Sequence, residues 1–183
     1  MDFFRRVWHY LKNLEWTEKK QHDCKFCDKR NFTNIAFEDE KVFVVDNRRK
    51  AGREHWLILP KSPPARHIRD IEALTSEDVP LLEHMKSVKQ MILAAQPQPI
   101  PPSTIHSGYH RGRRTLGPII LPDIISVHHL HLHVMVEPPI FIRIFKYPSW
   151  LRLMWLSDEK VLRLIRDRKT PRMNLDKTLA KDE

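Results

Sequence analysis

A chain of 183 residues, 41% hydrophobic and 30% charged, has the size and composition of one globular domain with a buried core. Only 4 glycines exclude a collagen-like repeat, 2 cysteines exclude a disulfide scaffold, and no run approaches the roughly 18 to 20 apolar residues of a membrane span. Lys and Arg total 32 against 23 Asp and Glu, a net charge of +9 that points to anionic ligands: nucleotides, nucleic acids or acidic lipid surfaces.

Near the start, Phe3, Phe4, Val7, Trp8, Leu11 and Leu14 recur at helical spacing, which predicts an amphipathic helix within residues 1–20. It either docks on the domain or a partner subunit, or serves as an arm for a membrane surface or another partner. Arg5, Arg6, Lys12 and Glu15 interrupt any continuous apolar segment, so the stretch does not read as a targeting signal. With free thiols as well, a reducing location, cytoplasmic or nuclear, is expected.

Ile35 to Asp46 reads as two short strands around an Asp39-Glu40 turn, and His55 to Pro60 as a third strand closed by prolines. Ser76 to Ala95 is the strongest helix, with Thr75 or Ser76 as cap, Glu77 and Asp78 in its first turn, and Leu81, Leu82, Met85, Val88, Met91 and Ile92 in its apolar stripe. Residues 96–103 carry four prolines and form a loop or spacer. A strand over Thr104 to His110, a basic loop over Arg111 to Asp123, a long strand over Val127 to Val136 and a helix over Ser157 to Lys169 follow. The basic loop is either a rim that gathers anions or a solvated insertion. Strands with few helices predict an α+β domain around an antiparallel sheet over 21–169, and 170–183 reads as a flexible tail.

Histidine is the outlier, at 11 residues, and the decisive segment is Ser126-Val-His-His-Leu-His-Leu-His-Val-Met-Val136. On a strand His129, His131 and His133 share one face and Leu130, Leu132 and Val134 the other, with successive histidines about 6.8 Å apart. Each imidazole has two polar nitrogens to satisfy, so three on one face rarely serve packing alone. Such a row suits nucleophilic, acid–base or metal chemistry. His128 points the other way. Cys24-x-x-Cys27 has metal-ligand spacing, but two histidines would have to complete a zinc site; free thiols and a redox pair are the other readings.

The run His129-Leu-His-Leu-His133-Val-Met resembles the histidine-triad (HIT) pattern. Cys24-Lys-Phe-Cys27, Phe37-Glu-Asp39, Asp46 and His55-Trp-Leu-Ile-Leu-Pro-Lys61 precede it in the order of the HINT branch, and Gly108-Tyr-His110, Ser149-Trp150 and the terminal helix make it most similar to the third HINT subtype. The resemblance implies a HIT-like fold and a nucleotide hydrolase or phosphoramidase acting on adenosine 5′-phosphoramidate-like or aminoacyl-adenylate-like compounds, with no catalytic cofactor. It implies His131 as the nucleophile that forms a nucleotidyl intermediate, and His133 as the partner of the phosphate and the leaving group. His129 completes the triad, and Ser126 hydrogen-bonds the phosphate.

For the purine nucleotide, the resemblance implies Asp46 at the ribose, Phe26 and Val45 as walls of the base pocket, and His110 at a polar position. For structural zinc it implies Cys24, Cys27, His55 and His129. A homodimer is expected through an extended sheet, the helix from Ser76 and the aromatic segment Phe141 to Trp155. A relative, aprataxin, removes AMP from aborted DNA ligation ends and grips DNA with a basic surface and a C-terminal zinc finger. This sequence has no cysteine after Cys27, so that finger is missing, and a DNA 5′-adenylate hydrolase is the alternative. A non-catalytic nucleotide-binding interaction module is a third.

Overall fold

Short β-branched runs between turn residues build the central sheet. Strand β1 (Ile35–Glu38) turns into β2 (Val42–Asp46) through Asp39, whose Oδ1 accepts from Lys41 N and Val42 N, both at 2.8 Å. Strand β3 (Glu54–Pro60) follows, then β4 (Ile105–His110), a two-stranded ribbon of β5 (Arg114–Leu116) and β6 (Ile119–Leu121), β7 (Leu132–Val136) and β8 (Trp155–Leu156). The order β1-β2-β3-β7-β4-β8 makes one six-stranded antiparallel sheet with β7 inside it. This is a computed structural model, and it describes residues 24–62, 65–112, 114–116, 119–121, 125 and 127–168. The expected N-terminal helix over 1–20, the tail over 170–183, and Ser126 lie outside them.

One face of the sheet packs on helices. The main core joins Val44, Ile58, Leu132 and Val134 to Leu82, Met85 and Val88 of α1 (Val79–Ala94), and to Val161 and Ile165 of α3 (Asp158–Asp167). A 3₁₀ turn at Ser76–Asp78 leads into α1, and the Asp78 carboxylate accepts from Thr75 N at 2.7 Å and Arg66 Nη2 at 2.6 Å. Buried Lys89 ties α1 to α3 through Asp158 Oδ2 at 2.5 Å, with Ser107 Oγ also in reach at 3.2 Å. The opposite face carries Phe43, Val45, Leu57 and Leu59 under Phe26 and Phe32, then Met135 under Ala51, Tyr147 and Trp155. The histidines lie on this second face.

Three expectations are corrected. The strand expected over Val127 to Val136 is regular only over Leu132–Val136; before it the chain turns, with His129 N donating to Val127 O at 2.9 Å and Leu130 N to Ile68 O at 2.7 Å. The basic loop contains the β5-β6 ribbon, and in the sequence Gly117-Pro118, a turn signal, separates its two strands. The aromatic segment is divided: Phe141 and Phe145 on α2 (Ile140–Phe145) and Trp150 are exposed, while Tyr147 and Trp155 are core. The last two are therefore not interface residues. Strand β8 reaches β4 because Gly108 leaves room; a Cβ there would lie 2.3 Å from Leu156 O.

Candidate active site and metal centre

His131 stands just ahead of β7, and its Nδ1 lies 2.6 Å from the carbonyl oxygen of His129. A carbonyl only accepts, so Nδ1 carries the proton and the lone pair sits on Nε2. Burial lowers the ring's pKa more than this bond raises it, so the imidazole is neutral near pH 7. Phe26 meets the ring edge-on at 5.4 Å between centroids. The result is a neutral, buried imidazole with its lone pair on Nε2, the electronic state a nitrogen nucleophile needs.

His133 is paired with Leu57 on one side and Gly108 on the other. Ala51 N donates to His55 Nδ1 at 3.1 Å. His55 Nε2 lies 3.0 Å from His133 Nδ1 and 3.1 Å from Asn47 Nδ2, whose amide is oriented by Arg49 N donating to its Oδ1 at 3.0 Å. One of the two imidazoles donates in the His55–His133 contact. His133 Nε2 is a buried atom with no hydrogen-bond partner among the described residues. Burial, then the neighbouring His131, His110 and His55, holds His133 well below the usual imidazole range, and burial takes His55 down to about 4. The rings of His131 and His133 lie 4.8 Å apart. Tyr147, Trp155 and His110 enclose His133 at 5.2–5.6 Å, and His110 is lowered to about 3 by burial.

His129 turns away from both. Its Nε2 donates to Pro60 O at 2.9 Å, so the Nδ1 lone pair faces Cys24 Sγ at 3.6 Å and Cys27 Sγ at 3.4 Å. His67 completes the group, and the ligand atoms of Cys24, Cys27, His67 and His129 all lie within 4.8 Å of one another. Tetrahedral zinc bonds of about 2.3 Å to sulfur and 2.1 Å to nitrogen require a sulfur–nitrogen edge of about 3.6 Å. The separations of Cys24 and Cys27 from His129 are close to that edge, and the Pro60 carbonyl orients His129 as outer-shell partners orient ligating histidines. His67 Nε2 is buried with no partner among the described residues, as an empty ligand would be. Without a cation, burial and Cys24 push the Cys27 thiol up to about 12.

The expected ligand His55 is not in this cluster. Both its nitrogens are engaged between Ala51 and His133, so His67 takes the place assigned to it. His67 had no motif to announce it: it follows Pro63-Pro64-Ala-Arg in an irregular segment, and only tertiary packing brings it to His129, at 5.2 Å between ring centroids.

Val45 is buried under Phe26 on the site's face of the sheet, and half-buried Asp46 ends the same strand. A narrow crevice opens beside His131, lined by Arg69, Asp70, Tyr109 and His110 among others. Arg111 does not hang over it: its guanidinium grips Glu72 at 2.7 and 3.0 Å and Arg152 O at 3.1 Å. His128 accepts from Arg69 Nε at 3.2 Å, apart from the triad.

Comparison with known proteins agrees with this geometry. The family model described as scavenger mRNA decapping enzyme C-term binding matches residues 20–139. The bifunctional adenosine 5′-phosphosulfate phosphorylase/adenylylsulfatase HINT4 of Arabidopsis thaliana is 32% identical over 140 residues, 73% of this chain and 79% of that protein. The adenosine 5′-monophosphoramidase HINT3 of Danio rerio is 26% identical over 84% of this chain and 88% of its own length. Aprataxin of Gallus gallus is 28% identical over 73% of this chain, which spans only 38% of that protein. Among solved structures, a histidine triad protein from Clostridium difficile shares the fold, with a TM-score of 0.52 at 18% identity over 67% of this chain and 96% of its own.

Proposed function

This chain belongs to the histidine-triad (HIT) superfamily of nucleotide hydrolases, and from that premise we propose that it cleaves adenosine 5′-phosphoramidate-like or aminoacyl-adenylate-like compounds at the α-phosphate. The observation that carries the reading is the fixed tautomer of His131, whose Nε2 lone pair lies beside His133 and its buried, unpartnered Nε2. His131 Nε2 attacks the α-phosphorus, and the bond to the leaving nitrogen or oxygen breaks with its electron pair going to that atom. His133 Nε2–H hydrogen-bonds the phosphoryl oxygen or protonates the leaving group. Water then attacks the nucleotidyl-His131, releasing the nucleoside monophosphate and regenerating the imidazole. Asp46 accepts from the ribose hydroxyls, with Phe26 and Val45 against the base. The cysteine cluster would hold zinc as a clamp that fixes the segment leading into β7.

A substrate panel of adenosine 5′-phosphoramidate, AMP-morpholidate and adenylated nicked DNA tests this. Turnover of the small phosphoramidates with a mass adduct of one nucleotidyl group on His131, abolished in His131→Ala, is expected. Turnover by His131→Ala near the wild-type rate defeats the mechanism. Preference for the nicked DNA would move the chain to the aprataxin-like alternative, and nucleotide binding without turnover would mark a binding module.

A further inference from the structure

The second face of the sheet ends in a strip of apolar surface that no described element covers. On α2, Ile140, Phe141, Ile144 and Phe145 are 71%, 59%, 40% and 77% exposed, and Trp150 is 66% exposed, held by its Nε1 donating to Ile144 O. A short helix in water normally turns such side chains inward; here the inward positions belong to Ile142 and Tyr147. The patch is also one-sided in charge. Residues 138–156 contain Arg143, Lys146 and Arg152 and no Asp or Glu. The loop bearing exposed Arg48 and Arg49 packs beside it: a Cβ on Gly52 would lie 2.3 Å from Val136 O and 3.1 Å from Pro138 N, and Ala51 is buried with Tyr147. None of these five cations enters an ion pair among the described residues.

We infer that this face docks on the surface of an anionic lipid bilayer. Exposed Phe, Ile and Trp set among arginines and lysines have the composition of segments that lie in the boundary between headgroups and acyl chains. The aromatic rings enter the apolar boundary, Trp150 sits at headgroup level, and the cations meet acidic headgroups. A second copy is the poorer occupant. A two-fold interface would gather two such sets of cations with no acidic residue in 138–156 to offset them. Residues 1–16 of this chain fit no better in charge, since Arg5, Arg6 and Lys12 outweigh Asp2 and Glu15. The inner side of the same segment, Tyr147 and Trp155, walls His133, so the docking face and the catalytic strand share one structural element.

Sedimentation of the full chain with vesicles tests the inference without using catalysis. Binding to phosphatidylcholine vesicles containing about 30% phosphatidylserine is expected, weakening about fivefold for each cation reversed in Arg143→Glu and Lys146→Glu and weakening in high salt. Phe145→Ser should lose binding by about tenfold or more while keeping the fold, because the ring is exposed. Trp150 emission should shift to the blue on vesicles, and Trp150→Phe should remove the shift. No binding to anionic vesicles overturns the inference, as does binding unchanged by Phe145→Ser and Lys146→Glu together. A concentration-dependent dimer lost in Phe145→Ser would assign the face to a second copy, and protection of Trp150 from quenchers without vesicles would assign it to the chain itself.

Discussion

His129 and His131 are two residues apart in one segment and do opposite things. His129 donates from Nε2 to Pro60 O and turns its Nδ1 lone pair to two sulfurs. His131 donates from Nδ1 to the His129 carbonyl and turns its Nε2 lone pair to the space where phosphorus would sit. In both cases a main-chain carbonyl chooses the tautomer, and the tautomer chooses the chemistry. Residue type alone makes the two equivalent; which nitrogen the backbone engages separates the candidate metal ligand from the proposed nucleophile.

The largest effect that can break this division is on turnover. His131→Ala removes the lone pair and should lower the rate of phosphoramidate hydrolysis roughly 10⁴-fold or more, as loss of a nucleophile does. The same variant should retain about one zinc per chain by elemental analysis, because none of the cluster's donor atoms is touched. A variant that loses both together would show that the two regions are one.

Next in size is the metal. Cys24→Ser and His67→Ala should each lose zinc, and with it the stabilisation that binding supplies, about 4 kcal/mol where free zinc exceeds its Kd a thousandfold. Denaturant midpoints with and without a chelator measure this. If His67→Ala kept its zinc at full occupancy, the four-residue cluster would not be the site.

Acid sharpens the comparison from the other side, through histidines that hold no metal. His55 is taken down to about 4 and His110 to about 3, in each case chiefly by burial, while an unfolded histidine titrates near 6.5. The unfolded chain therefore binds more protons in between. The stability these neutral rings contribute is intact above about pH 6.5 and is lost as pH falls towards 4, reaching about 3 kcal/mol for His55 alone. Urea midpoints compared between pH 7 and pH 4.5 should fall more steeply in the wild type than in His55→Phe. Parallel slopes would mean that His55 takes up its proton at the same pH folded as unfolded.

The alternation of His and Leu was enough to find the strand, its inward leucines and the His131–His133 pair, because period two is a property of the backbone itself. It could not show that the chain leaves the strand before His131, since that bend comes from Leu130 N reaching Ile68 O across a distant segment. His67 was invisible for the same reason. His55 was placed at the cysteines by family pattern, whereas the register sets His55 opposite Met135 and Leu57 opposite His133, a diagonal that brings the two imidazoles together. Tyr147 and Trp155 belonged to a segment rich in aromatics, and nothing local distinguishes the two that turn inward from the three that do not.

The smallest effect separates the two regions most cleanly. If His55 is a positioning residue that fixes the His133 tautomer, His55→Phe removes one hydrogen bond and frees His133 to carry its proton on either nitrogen. A bond of this kind is worth about 0.5–1.5 kcal/mol, so turnover should fall about two- to tenfold, with the loss in kcat rather than KM. His55→Gln offers an amide N–H in place of Nε2–H, and should recover much of that loss. A role in packing alone would rank the variants the other way, because Phe fills a buried ring's space better than Gln does. Zinc content decides what remains: it should be unchanged in both variants, and its loss in His55→Phe would return His55 to the metal centre and leave the proton on His133 unexplained.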